Sequence, residues 1–197
     1  MTKVFTDKEQ LILTITKMMV WKYGIKKTRI KDICEEAGIS KMTFYRSFSN
    51  KQDAIQSALE LEFRKSLKAY QQIMESKQPF TVKCAQLVEL ERNNAQDLDT
   101  AFIKDLQLAD YTTIRAQLLD YQNTMESIIK SDFTQAQQSG FIRDDISIEA
   151  ILFFLRELNA IYAKEGFIEL HQSPQEASVA LTKLFFYGIL PNNKPDA

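Results

Sequence analysis

The chain has 197 residues, of which 45% are hydrophobic and 26% charged, with a formal net charge of -1. That length supports one large or two small domains with a substantial core, and every uninterrupted apolar run falls short of the ~20 residues a membrane span needs. Residues 1–66 hold 13 Lys and Arg against 8 Asp and Glu, whereas residues 67–197 hold 12 against 18, so a basic first third precedes an acidic body.

The pattern is helical almost throughout, and the sequence predicts an all-α fold of about nine helices. Thr6-Asp-Lys-Glu9 reads as a capping box that opens the first helix. Leu11, Ile15, Met18 and Met19 give it an apolar stripe, and Gly24 ends it. Thr28 is placed to cap a short second helix with Ile30, Ile33, Cys34 and Ala37 on one face, stopped by Gly38. Ser40 caps a third helix, in which Phe44 and Phe48, four apart, point inward together. Asn50 caps a fourth, running from Lys51 to about Ser76, and Pro79 closes that segment.

Helical spacing resumes over about Phe80–Arg92. A polar connection, "NNAQDLD", leads to a short helix over Thr100–Leu108 and a long one over Tyr111–Ser139, ended by Gly140. After the loop "SGFIRDDIS", Ser147 caps a helix to about Lys164. Ser173-Pro-Gln-Glu176 is a second capping box with proline at the first helical position, where its missing N–H costs nothing. The last helix reaches about Leu190, and "PNNKPDA" is expected to be a frayed tail.

The stretch "AGISKMTFYRSFSNK", Ala37–Lys51, contains no acid. Two short helices joined by a glycine turn form a helix-turn-helix, whose second helix can enter the DNA major groove. Thr28, Tyr45 and Lys51 are suited to grip phosphates, and the helix start at Ser40 adds amide donors. Lys41, Thr43 and Arg46 have the chemistry to read base edges: a cation suits guanine, and the threonine methyl suits thymine. A merely solvated charged face is the alternative reading of the charge alone.

Residues 5–65 resemble the DNA-binding domain of TetR-type transcriptional regulators. The carrying features are a first helix ending in "YG" and then "TRIKDICEEAGISKMTFYRSFSNKQDAI". Thr28, Ala37-Gly38-Ile39-Ser40, Thr43-Phe44-Tyr45, Phe48 and Lys51 stand at the family's matching positions. Met42, Arg46 and Ser47 depart from the family's usual residues on the face toward DNA, so the family's operator preferences do not carry over. By the same resemblance Lys31 is a candidate contact. The expected domains are residues 1–50, which read DNA, and residues 51–197, which bind a ligand and dimerise.

The resemblance implies a homodimer on a near-palindromic double-stranded operator, released by a small-molecule effector. Candidate pocket residues are Phe63, Tyr70, Met74, Tyr111, Tyr121, Met125 and Phe154, which suit an apolar or aromatic effector. By spacing alone, a Met or aromatic at such a position is more often plain core. Candidate dimer residues are Ile151, Leu155 and Leu158 with Ala177, Ala180, Leu181, Leu184 and Tyr187. No nucleophile–base pair, phosphate loop or metal cluster points to an enzyme, a cofactor or a metal site. The start "MTKVFTDKEQ" lacks a secretory signal, and Cys34 and Cys84 fit reduced thiols, so a cytoplasmic location without membrane contact is expected. Control by a protein partner, or a helical scaffold without DNA binding, are the rival readings.

Overall fold

The computed structural model describes residues 4–162 and 164–191, and the tail beyond Pro191 lies outside the described residues. Among them ten α-helices and one 3-10 turn occur and no strand. They are α1 (Asp7–Tyr23), α2 (Ile30–Glu36), α3 (Lys41–Ser47), α4 (Lys51–Glu75), α5 (Phe80–Asn94), α6 (Thr100–Leu106), a 3-10 turn (Ala109–Tyr111), α7 (Thr112–Gln138), α8 (Ile148–Tyr162), α9 (Glu165–Ile168) and α10 (Pro174–Ile189). The helix beyond the nine expected is α9, a single turn too short to display a period.

The chain packs as two compact units, one drawn from the chain up to Lys65 and Asp97–Leu119, the other from Ser66–Gln96 and from Asp120 onward. This differs from a division at residue 50. Ala54 and Ala58 of α4 belong to the same buried cluster as Phe44 and Phe48, so the first half of α4 completes the head instead of leaving it. The helices α4 and α7 each supply residues to both units.

In the first unit the α1 capping box forms as expected: Thr6 accepts from the Glu9 amide, and the Glu9 carboxylate accepts from the Thr6 amide. The buried stripe of α1 is not the expected one. Leu11 and Met18 are exposed, whereas Ile12, Leu13, Thr16 and Val20 are buried beside Ile15. The face is turned by about one residue, roughly 100°. Thr16 can lie in it because its hydroxyl donates to the Ile12 carbonyl at 2.8 Å, which satisfies the one polar group there.

In the second unit Tyr70, Phe80, Leu87, Phe133, Leu152, Phe185 and Phe186 are part of one buried cluster. The Phe133 and Phe185 rings stack with centroids 6.1 Å apart. Four expected dimer residues face this unit's own interior: Ile151, Leu158, Ala177 and Leu181 are buried. Helical spacing gives α8 and α10 apolar side chains on two faces, and the tightly buried face is the one that fills the unit. Ser173 caps α10 through the Glu176 amide at 3.2 Å, but the Glu176 carboxylate accepts from the amide of Gln172 instead of Ser173. In the loop before α8, Arg143 forms a two-pronged pair with Asp145, 2.6 Å at each nitrogen, and donates to the Gly188 carbonyl. Asp145 is thus held in a structural ion pair.

Candidate nucleic-acid interface

The turn between α2 and α3 is built by backbone hydrogen bonds. Gly38 takes a φ of +62°, a conformation favouring a residue without a Cβ. The Gly38 amide then donates to the Glu35 carbonyl at 3.2 Å and the Ile39 amide to the Cys34 carbonyl at 2.9 Å, which closes a Schellman motif at the end of α2. Ile39 packs against the head's core. Ser40 follows at once as the cap of α3, its hydroxyl accepting from the Thr43 amide at 3.1 Å and lying 3.0 Å from the Thr43 hydroxyl.

Helix α3 is pinned by one side. Phe44 and Phe48 are 0% and 1% exposed, with ring centroids 5.8 Å apart. This orientation leaves Lys41, Met42, Tyr45 and Arg46 exposed and Thr43 and Ser47 half-buried. Met42 is 71% and Tyr45 53% exposed, so an apolar thioether and a phenol stand in solvent beside two cations. The Tyr45 ring meets the edge of Phe44 at 5.6 Å, which fixes it without covering its hydroxyl face.

Three expected contacts sit differently. Thr28 does not cap α2: the cap position is Arg29, without a side-chain bond. Thr28 is buried, and its hydroxyl donates back to the Gly24 carbonyl at 2.8 Å. It holds the turn from α1 to α2 together and does not face solvent. The Lys51 ammonium donates to the carbonyls of Ile25 at 2.9 Å and Thr28 at 3.0 Å. Two of its three N–H donors are therefore taken, and one is left for a phosphate. Burial pulls the Lys51 pKa down, and the nearby Asp105 carboxylate pulls it back up. Lys31 is exposed and paired with Glu35 at 3.4 Å, a surface pair that phosphate can compete with. The turn also presents Lys26, Lys27 and Arg29, all exposed, which the motif-based reading of α2 and α3 missed. The signal was the run "KKTR" itself.

The expected pocket residues divide between the units. Phe63 and Tyr111 belong to the first; Tyr70, Met74, Tyr121, Met125 and Phe154 belong to the second. Tyr70 is buried and donates its phenol hydrogen to Asp132 at 2.9 Å. Burial and the adjacent carboxylate push its pKa far above the ordinary phenol value. Met74 and Met125 pack against the second unit's core. Phe154 is 50% exposed. With Phe153, Leu184 and Tyr187, also exposed, it marks the outward face of α8 and α10. Leu155 and Ala180 are half-buried.

Among the described residues, no group of three or more His, Cys, Asp or Glu is placed to hold a metal. No described helix is long and apolar enough to cross a membrane.

Residues 12–57 match the family model of bacterial regulatory proteins, tetR family. Solved structures share the fold over nearly the whole chain. The regulatory protein TetR from Rhodobacter sphaeroides matches with a TM-score of 0.72 at 15% identity, covering 94% of this chain and 100% of that one. A TetR transcription regulator from Haloarcula marismortui matches with a TM-score of 0.71 at 16% identity, covering 95% and 100%. The fatty acid degradation regulator FadR from Bacillus halodurans matches with a TM-score of 0.69 at 12% identity, covering 98% and 99%. No curated protein matches the sequence.

Proposed function

We infer that this chain is a TetR-family DNA-binding transcriptional regulator, a reading supported by the match of its N-terminal segment and by its fold, and that it acts as a repressor released from its operator by a small molecule. The observation that carries the DNA-reading half is the presentation of α3. Phe44 and Phe48 are held in the core while Lys41, Met42, Tyr45 and Arg46 stand exposed on an acid-free helix. Lys41 and Arg46 are assigned to base edges, with Met42 and Thr43 as apolar partners for a thymine methyl. Tyr45, Lys31, Lys51, Ser47 and the amides at the Ser40 cap are assigned to phosphates. Thr28 acts indirectly, by shaping the turn.

A homodimer is proposed through the outward face of α8 and α10, where Phe153, Phe154, Leu184 and Tyr187 leave aromatic and aliphatic surface exposed. A stable interface of ordinary size buries about 800 Å² per partner, and a two-fold pair would read two half-sites separated by about one DNA turn or a multiple of it. The effector is proposed to be apolar or aromatic and to bind in the second unit near Tyr70, Met74 and Met125. Helix α4 is continuous from Lys51 to Glu75, so a ligand that favours one position of α4 would change the spacing of the two heads. The test is selection of genomic fragments by the purified protein, followed by binding to the recovered duplex with and without candidate effectors. Recovery of a near-palindrome supports the reading, and recovery of no common sequence removes it.

A further inference from the structure

Helix α1 ends at Gly24 with φ +84° and ψ 165°, and the space beside it is occupied by α6. A Cβ at Gly24 would lie 2.7 Å from Asp105 Oδ2, 3.2 Å from Ala101 Cβ and 3.3 Å from the Ala101 carbonyl carbon. Helix α6 thus approaches this backbone as closely as the missing side chain allows. The same Asp105 Oδ2 accepts the Lys26 backbone N–H at 2.8 Å. Alongside, the Trp21 and Phe102 rings meet at 4.5 Å, and the Asp99 amide donates to the Trp21 carbonyl at 2.9 Å.

The turn from Gly24 to Arg29 is therefore fixed at four backbone points. Thr28 holds the Gly24 carbonyl, Lys51 holds the carbonyls of Ile25 and Thr28, and Asp105 holds the amide of Lys26. Three of the four points are tied by residues of the head itself. The fourth is tied by a carboxylate 79 residues away in sequence. The exposed side chains this turn carries are Lys26, Lys27 and Arg29.

We propose that Asp105 is a positioning residue for DNA binding. By holding the Lys26 amide against the side-chain-free face of Gly24, it sets the turn that aims Lys26, Lys27 and Arg29 at phosphates beside the α3 footprint. A carboxylate suits this task because a charge-assisted bond to a backbone amide is about twice as strong as a neutral one. The negative charge also favours the charged form of Lys51, which burial alone would weaken. This role rests on the DNA-binding reading above.

The test compares Asp105→Ala, Asp105→Asn and Gly24→Ala in the full-length protein by two readouts. One is hydrogen exchange at the Lys26 amide. The other is affinity, at fixed salt, for a duplex that the unaltered protein has selected from genomic fragments. Asp105→Ala is expected to speed Lys26 exchange while the core amides of Ile33 and Phe44 stay protected, and to weaken the duplex about tenfold. Asp105→Asn keeps an oxygen acceptor without the charge and falls between. Gly24→Ala brings a Cβ to 2.7 Å from the same carboxylate and to 3.3 Å from the Ala101 backbone, so it should speed Lys26 exchange and weaken the duplex at least as far as Asp105→Ala. If Gly24→Ala does not fold, because its φ is positive, the Asp105 pair decides alone. Unchanged Lys26 exchange in Asp105→Ala overturns the proposal, as does faster exchange with duplex affinity within twofold of the unaltered protein. An unaltered protein that binds no duplex overturns the DNA-binding reading and this role with it.

Discussion

Phe44 and Tyr45 are neighbours in α3 with opposite environments, and replacing each gives a paired test of how the helix is mounted. Phe44 is fully buried, so Phe44→Ala removes a packed ring and leaves a cavity, at a cost of about 3–5 kcal/mol. Tyr45→Phe removes only a hydroxyl from a half-exposed side chain and should leave stability within about 0.5 kcal/mol. Trp21 is the chain's single tryptophan and lies in the first unit, so its fluorescence reports that unit during urea unfolding. With a denaturant slope of about 1–3 kcal/mol per molar, Phe44→Ala should lower the midpoint by about 1–5 M. Tyr45→Phe should leave the midpoint in place and weaken duplex binding about 3–10-fold, the value of one hydrogen bond of roughly 0.5–1.5 kcal/mol. This mounting of α3 is refuted if Tyr45→Phe moves the urea midpoint as far as Phe44→Ala, or if Phe44→Ala leaves it unmoved.

Ser40→Ala removes the cap of a seven-residue helix and should cost the first unit about 1 kcal/mol, read by the same urea titration. Tyr70→Phe deletes the phenol that Asp132 accepts from and should destabilise the second unit by about 1–3 kcal/mol; an unchanged melt by circular dichroism would show that this bond contributes nothing. Burial pushes the Cys84 thiol from 9.0 up to about 11. The folded form therefore keeps its proton where the unfolded chain releases it. The resulting contribution is complete below pH 9 and disappears as pH rises through about 11, so Cys84→Ala should flatten the loss of stability over that window.

What the sequence disclosed and what it hid follow from the range of the interactions. The Thr6 and Ser40 caps and the Gly38 turn were legible because each depends on residues within one helical turn. Thr28 was not, because a threonine hydroxyl can serve the amides ahead of it or the carbonyl four residues behind it, and only the backbone path decides. The buried face of α1 was misread by one position because Thr16 hides its polar atom against its own helix. In α8 and α10 both faces carry apolar residues, so spacing could not separate Ile151 and Leu181, which fill the interior, from Phe154 and Leu184, which do not. Asp105 carried no signal at all, since its partner lies in a different helix-to-helix turn far along the chain. The reading helix was the clearest part of the site because burial of Phe44 and Phe48 dictates which of their neighbours remain outside.

The central claim is that this exposed face binds duplex DNA, and its most direct test is duplex affinity measured across a salt series on the genomic fragment the protein selects. Affinity should fall by roughly 0.9 log units per log unit of salt for every phosphate neutralised. The Tyr45→Phe loss should apply alike to all duplex sequences, whereas Arg46→Ala should relax the preference at one base pair by ~1–3 kcal/mol. Affinity that ignores salt, or binding untouched by both substitutions, would contradict the account.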